Sequence, residues 1–291
     1  MKKSLIAGLL ATAGVLGASA QSNFVITSFS ANGVLTWNAP EPGVYSVEWA
    51  ASPTGAWYQT WDLANLSLAA GLHTNHVPMF YRITAKRSVL LMHGDAPDGS
   101  TTFTDESGHT LTGAGNVHIS TNRSRFGGAS IYFDGSGDYL DAGIAEDWAF
   151  GDGDFTVDFW VNFETSPGDT HLIGQHTQGL YAEWCILRDG ASLRAFLNGL
   201  PVVGNTWAPQ VDTWYHIALT RARGTLRLFA NGNELASAPT TAVIGSGRPL
   251  TLGAAANPSL FFRGFMDEIR IIKGAAAWTA PFTPPSKEYA F

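Results

Sequence analysis

The stretch from Phe155 to Phe163 constrains the fold more than any other part of the sequence. Its odd-numbered residues are all phenylalanine or valine, so an extended chain here has one continuous apolar face. The opposite face carries Thr156, Asp158, Trp160 and Asn162. Two further strand-like runs, Trp214–Thr220 and Thr225–Ala230, are joined by a short turn ending in Gly224. Beyond the first 20 residues no segment has a sustained helical period, and the sequence therefore predicts an all-β fold.

The first 20 residues have the layout of a bacterial signal peptide. Lys2 and Lys3 precede an apolar stretch from Leu5 to Leu16, and Ala18-Ser19-Ala20 fits the small-residue rule for signal peptidase. The apolar stretch is too short to anchor the chain across a bilayer, and no second long apolar run follows, so no transmembrane segment is expected. We expect a secreted mature chain, either extracellular or periplasmic.

Charge and cysteine content exclude several classes of function. The formal net charge is −7 and no basic run occurs, so nucleic acid and anionic lipid are not expected partners. Cys185 is the only cysteine, which excludes an internal disulfide framework, and its strand-like surroundings predict a buried free thiol. The eight histidines form no zinc motif; His171 and His176, five residues apart, are a poor spacing for a metal.

The rhythm of strands and turns divides the mature chain in two. Residues 22–86 contain about five short runs of β-branched and aromatic residues separated by turn signals. This block resembles a shortened fibronectin-type-III-like module, a small β-sandwich that ends with Met79–Ala85. Longer and more regular strands begin after Lys86, where we place the junction.

The second block, residues 88–286, carries a series of landmarks in a characteristic order. They are Leu90–Asp95, Ser100–Gly108, Arg125–Gly135, Gly137–Leu140, Asp154–Val161, Thr213–Leu219, Phe229–Gly232, Gly264–Ile271 and Phe282–Pro285. In this order they resemble the LamG-like jelly-roll family of the concanavalin A-like superfamily. The resemblance implies an antiparallel β-sandwich. It also implies a binding or adhesive role, with carbohydrate or a cell-surface or matrix ligand as the partner, although the fold hosts glycan-cleaving enzymes as well.

Catalysis is not expected, because the sequence lacks the paired acids that glycoside hydrolysis needs. The concanavalin-like glucanases carry a Glu-x-Asp-x-x-Glu strand, and this chain has none. Asp158 and Glu183 have no acid two residues away, and the adjacent Asp267 and Glu268 would face opposite ways on a regular strand. Two alternatives stay open: a hydrolase whose acids come from separate strands, and an envelope or matrix protein that binds other proteins.

Calcium is the metal that the resemblance suggests, as one structural Ca²⁺ held by loop oxygens. Asp95, near the first strand of the block, and Asp267, near its last, would meet where the chain ends come together. Oxygens from Gly128 or Asp134 would assist. The alternative for Asp267 is that it caps a turn or pairs with Arg270.

Sugar recognition needs aromatic platforms beside polar hydrogen-bonding groups. The loops offer Trp148, Trp207 and the pair Phe261-Phe262 near Asn257, and the polar face of the central strand offers Trp160 next to Asp158. The alternative for each aromatic residue is that it fills the core. Trp278 is expected to clamp the C-terminal extension against the sheet, which is a packing role.

Overall fold

A computed structural model describes residues 25–29, 34–39, 43–50, 58–59, 66–68, 71–76, 80–85, 88–177 and 183–290. The predicted signal peptide, residues 1–20, lies outside the described residues. The described residues divide into two compact units, one up to residue 86 and one from residue 87 onward. None of the described ranges contains a helix with the length and apolar character that a membrane span requires.

The described part of the N-terminal unit consists of short antiparallel strands. They are β1 (Val25–Phe29), β2 (Val34–Ala39), β3 (Gly43–Ala50), β4 (Tyr58–Gln59), β5 (Leu66–Leu68), β6 (Gly71–His76) and β7 (Phe80–Ala85). One sheet has the order β1-β2-β6, and in a second sheet β3 pairs with β4, β5 and β7. Leu35, Trp37 and Tyr45 are buried, so apolar side chains from both sheets contribute to the core of this unit.

The C-terminal unit is built from longer strands. They are β8 (Ser88–Met92), β9 (Thr112–Ala114), β10 (His118–Ser120), β11 (Ser130–Asp134), β12 (Tyr139–Asp141), β13 (Phe155–Phe163), β14 (Thr170–Gly174), β15 (Trp184–Asp189), β16 (Ser192–Leu197), β17 (Leu200–Thr206), β18 (Trp214–Ala222), β19 (Thr225–Ala230), β20 (Asn233–Pro239), β21 (Thr251–Leu252) and β22 (Arg263–Lys273). A 3-10 helix, Glu146–Trp148, precedes β13.

These strands form two antiparallel sheets, as the sequence predicted. The first has the order β10-β11-β22-β13-β18-β19-β20, with β8 also paired to β22. The second has the order β17-β16-β15-β14-β21-β12-β9. Phe159 and Leu219 from the first sheet join Ile186 and Leu252 from the second in one buried apolar cluster. The architecture is the jelly-roll β-sandwich, with its core between the sheets.

The second face of β13 is covered, although its polar residues suggested an open face. Every residue of β13 is buried. The C-terminal segment crosses this face: the Thr156 hydroxyl donates to the carbonyl of Ala275 at 3.0 Å and accepts from the N–H of Ala277 at 2.8 Å. Trp278 stacks on Phe282 with ring centroids 4.0 Å apart and makes an edge contact with His216 of β18 at 5.5 Å, which confirms the predicted packing role of Trp278.

Candidate functional site

Asp95 and Asp267 hold the same turn, the segment from Arg125 to Ala129. One carboxylate oxygen of Asp267, Oδ2, accepts the backbone N–H of Arg125 at 2.6 Å and that of Phe126 at 3.2 Å. The Asp95 carboxylate accepts a hydrogen bond from the backbone of Ala129. Asp267 therefore caps a turn, one of the roles predicted for it, and it does not pair with Arg270, which binds Asp158 instead.

The second oxygen of Asp267, Oδ1, is buried and has no hydrogen-bond partner among the described residues. Burial raises the pKa of Asp267 to about 8, against the two backbone N–H donors, and the charges of Glu268 and Asp95 raise it further. A buried acceptor without a partner is costly, and a cation would remove that cost.

A β-bulge brings a further acidic residue, Glu268, close to Asp267. The pairing of β13 with β22 shifts register between Asp158 and Trp160, and Glu268 has a left-handed φ of 50°. Glu268 is buried against His93, with Oε1 2.7 Å from Nδ1. The simple alternation that we assumed for Asp267 and Glu268 does not hold here, because a bulge interrupts the regular strand period.

The residues present fit a calcium ion. Asp95 and Asp267 are hard oxygen donors of the kind that Ca²⁺ prefers, and both carboxylates accept hydrogen bonds from the backbone of the Arg125–Ala129 turn. Gly127 has a φ of 58°, and a Cβ at this position would overlap both carboxylate oxygens of Asp95. Only glycine therefore lets the turn approach this carboxylate so closely. Bound calcium would supply positive charge beside these two carboxylates.

Asp134 does not belong to this group, which corrects the prediction from sequence. Gly128 lies just before β11, whereas Asp134 is the last residue of that strand. The five residues of β11 alone separate the two ends by roughly 14 Å at 3.4 Å per residue. Asp134 instead lies in a pocket at the other end of β11.

That pocket is open to solvent and has a volume of about 330 Å³. Three loops form it: the turn after β11, the segment 164–169 between β13 and β14, and the end of the loop before β22. Its polar lining includes Asp134, Asp169 and Arg263, and Phe261 supplies an aromatic ring. Charged, hydroxyl-bearing and aromatic groups thus converge on one concave surface, as in sites for polar small molecules.

The lining of the pocket is held by hydrogen bonds. Arg263 Nε donates to Glu164 Oε2 at 2.8 Å, and the Tyr132 hydroxyl donates to the same oxygen at 3.1 Å. Asp169 Oδ1 accepts the N–H of Gly190 at 2.7 Å, so its second oxygen is left as an acceptor. These contacts fix the guanidinium and one carboxylate before any ligand arrives, which lowers the entropy lost on binding.

Phe261 and Phe262 lie in different environments, the first in the pocket and the second in the core. Phe262 is fully buried and makes edge contacts with Phe133 and Phe163, at centroid distances of 5.6 and 5.4 Å. Its ring has no face open to a ligand, which removes Phe262 from the candidate residues. Phe261 is half-buried and lines the pocket, and Asn257 is exposed in the preceding loop.

Trp207 lies beside the pocket. Its ring is half-buried and makes edge contacts with Phe163 at 5.9 Å and Tyr215 at 5.2 Å. Arg188 links it to the pocket, because the guanidinium donates both to the carbonyl of Trp207 and to that of Pro167. Trp207 thus supports one wall of the pocket, and Arg188 positions the backbone of both Trp207 and Pro167.

The remaining aromatic candidates are buried. Trp148 is fully buried and its indole N–H donates to the carbonyl of Gly143 at 3.2 Å. Trp160 is 4% exposed because the guanidinium of Arg125 covers its ring, 4.1 Å from the ring centroid. Neither ring can act as a sugar platform, so both predictions are wrong. The core-filling alternative holds for these two residues.

Asp158 is also buried, at the centre of an ionic cluster. Its carboxylate accepts from Arg270 Nε at 3.0 Å and lies 3.2 Å from His216 Nε2, and it also accepts from the Tyr289 hydroxyl. Burial alone would raise the pKa of Asp158, but Arg270, His216 and Tyr289 hold it below its usual value. Asp158 therefore ties the C-terminal segment to the sheet and is not available to a ligand.

Comparison with known families agrees with this architecture. A family model described as the concanavalin A-like lectin/glucanases superfamily matches residues 134–279, about half of the chain. The chain belongs to this superfamily. The matched region of the concanavalin A-like unit begins at Asp134 in the pocket and includes β13, β18 and β22. No curated protein sequence is significantly similar to the chain.

Solved structures with a similar fold come from several bacterial proteins. Domain 4 of AbnA, an extracellular arabinanase of Geobacillus stearothermophilus solved with arabinotriose, is 19% identical, with a TM-score of 0.49 over 65% of this chain and 94% of that one. The binding domain of Paraclostridial Mosquitocidal Protein 1 is 17% identical, with a TM-score of 0.49 over 65% and 49%. The binding domain of botulinum neurotoxin serotype D is 13% identical, with a TM-score of 0.49 over 65% and 48%. The chain thus aligns with about half the length of either toxin domain.

Proposed function

We propose that this protein is a secreted, non-catalytic carbohydrate-binding protein that takes its ligand in the pocket lined by Phe261, Asp134, Asp169 and Arg263. The observation that carries the proposal is the convergence of an aromatic ring, two carboxylates and a guanidinium on one open pocket. Sugars present apolar C–H faces that stack on aromatic rings and hydroxyls that hydrogen-bond to charged groups. The superfamily description names lectins and glucanases, which are both proteins that act on carbohydrate.

The burial and the hydrogen-bond partners of the acidic residues support binding rather than hydrolysis. Asp158, Asp267 and Glu268 are buried, with Asp158 and Glu268 paired to basic side chains. Asp134 in the pocket uses Oδ1 to accept the N–H of Ser136 at 2.7 Å. In the pocket, Asp134 and Asp169 each use one oxygen to accept a backbone N–H, and their other oxygens can accept hydrogen bonds from sugar hydroxyls.

Calcium has a structural role in this proposal. Bound by Asp95, Asp267 and carbonyls of the Arg125–Gly128 turn, it would fix the loop that packs Arg125 over Trp160. The pocket is at the opposite end of β11 from this turn. The proposal therefore predicts that calcium affects stability more than it affects the affinity for sugar.

Replacing Phe261 with alanine tests the proposal. We expect binding of the best oligosaccharide from a glycan panel to weaken by about 10- to 100-fold, because the variant removes the half-buried aromatic ring of the pocket, and central aromatic anchors carry a large share of binding energy. The melting temperature should change little, since Phe261 is only half-buried. Isothermal titration calorimetry measures the affinity, and a reducing-end assay in the same samples detects hydrolysis.

Val243→Ala is the matched control, because Val243 is 65% exposed and does not line the pocket. It should bind sugar as the parent protein does. Equal affinities for the parent protein and Phe261→Ala would contradict the proposed pocket, and release of reducing ends would contradict the non-catalytic role.

A further inference from the structure

Two histidines and the single cysteine meet on the outer side of the second sheet. One ring nitrogen from each of His171 and His176 and the sulfur of Cys185 lie within 4.8 Å of one another, and all three residues are buried. The pairing of β14 with β15 creates the cluster, because Gly174 stands opposite Cys185 and a bulge lies between His171 and Ile173. The sequence spacing alone gave no sign of it.

The geometry within the cluster fits a shared metal ion better than a hydrogen bond. The two Nδ1 atoms are 3.4 Å apart, which is long for an N–H···N contact. Two nitrogens bound at about 2.0–2.1 Å to one ion in tetrahedral or trigonal geometry stand at about this separation. His171 Nε2 faces the carbonyl of Thr251 at 3.4 Å, and this orients the ring so that Nδ1 points toward Nδ1 of His176. Metal-binding histidines are commonly oriented in this way.

The surroundings of the histidines favour neutral rings. His171 and His176 are both buried, and the guanidinium of Arg248 donates to the hydroxyl of Thr177, next to His176, at 2.8 Å. Neutral imidazole is the form that binds metals. The Cys185 thiol is also buried, so a thiolate forms here only with a compensating positive charge.

Charge and ligand type select the metal. The surroundings of Cys185 are apolar, since it clusters with Leu187 and Phe196, and Arg248 adds a positive charge near His176. A monovalent ion bound to one thiolate gives a neutral site, whereas Zn²⁺ with one thiolate leaves a buried positive charge next to Arg248. Thiolate and imidazole ligands are those that soft copper(I) prefers.

We propose that His171, His176 and Cys185 bind one copper(I) ion. As the copper–sulfur bond forms, the thiol proton is released to solvent; copper, sulfur and the two imidazoles undergo no change of oxidation state. The ligand set is complete with three donors, because copper(I) accepts low coordination numbers. This site is separate from the sugar pocket, so its test does not depend on the proposed function.

The experiment is an anaerobic competition between the full chain and the chromogenic copper(I) complex of bicinchoninate. We expect the protein to withdraw one equivalent of copper, and X-ray absorption of the product to show one sulfur and two nitrogen ligands. Cys185→Ser and His176→Gln should each weaken copper binding by at least 100-fold, with folding checked by circular dichroism. His118→Asn, at a half-buried histidine of the first sheet, should bind copper as the parent does.

Three results would overturn the proposal. The first is that the folded parent protein leaves the bicinchoninate complex intact. The second is that folded Cys185→Ser or folded His176→Gln withdraws copper as well as the parent does. The third is a 1:1 site for Zn²⁺ at these residues with no competition for copper(I), which would assign the cluster to a divalent ion instead.

Discussion

Asp158→Asn is expected to lower the free energy of unfolding of the concanavalin A-like unit by about 3–5 kcal/mol, the range found when one partner of a buried ion pair is removed. The variant keeps the shape of the side chain but removes the carboxylate charge that the buried guanidinium of Arg270 hydrogen-bonds. It also weakens the contacts to His216 and Tyr289 that hold the C-terminal segment on the sheet. Chemical denaturation followed by tryptophan fluorescence measures the change.

Asp212→Asn is the matched control, because Asp212 pairs with Arg123 while remaining 59% exposed. Exposed ion pairs contribute at most about 1 kcal/mol, so this variant should unfold nearly as the parent does. If the two variants lost the same stability, the ionic cluster around Asp158 would not be what holds the C-terminal segment on the sheet. The lowered pKa of Asp158 adds a pH test. The stability that ionised Asp158 contributes is present above the usual pKa of an aspartate and is lost in acid, as the pH falls through the lowered pKa.

We also expect a large effect of pH and calcium on stability, through the carboxyl group of Asp267. A carboxyl pKa raised from 3.8 to about 8 means that the folded protein favours the protonated form of Asp267 over the ionised form by roughly 5–6 kcal/mol more than the unfolded chain does. Because the pKa is higher in the folded state, the metal-free protein should lose stability as pH rises from about 4 to 8. Saturating calcium should remove most of this loss, since it neutralises the ionised carboxylate. Asp267→Asn should remove both the pH dependence and the response to calcium.

Thermal melts at pH 5 and pH 8, in calcium and in EGTA, measure these effects. Asp152→Asn serves as the control, because Asp152 lies exposed in a turn and should respond to pH and calcium as the parent does. Gly127→Ala provides an independent variant, since its Cβ would occupy the position of the Asp95 carboxylate. A calcium-induced stabilisation that persists in Asp267→Asn would place the ion elsewhere.

The sequence predicted the strands well, because side-chain alternation is a local property. The strand Phe155–Phe163 was predicted with the bounds that the structure gives it, and the hairpin between Trp214 and Ala230 was also correct. The approach of Asp95 to Asp267 followed from the order of landmarks in the family, which fixes the ends of β8 and β22 as neighbours. Whether calcium binds there stays a prediction.

The binding residues were predicted less well, because exposure depends on distant parts of the chain. Nothing near Trp160 shows that Arg125 covers its ring, and nothing near Asp158 shows that Tyr289 returns to it. Arg263 and Asp169 were missed, since the pocket draws them from separate loops and neither has a local signature. The cluster of His171, His176 and Cys185 was missed because strand pairing and a bulge, not spacing, bring its members together.

A crystal structure of the full chain with the tightest-binding oligosaccharide from a panel would show whether a sugar binds in the pocket of the concanavalin A-like unit without being cleaved. We expect an intact sugar with one ring face against Phe261 and hydroxyl groups hydrogen-bonded to Asp169 and Arg263. A sugar bound elsewhere on the sandwich, or one found as cleaved products, would rule out the proposed pocket or the proposed non-catalytic role.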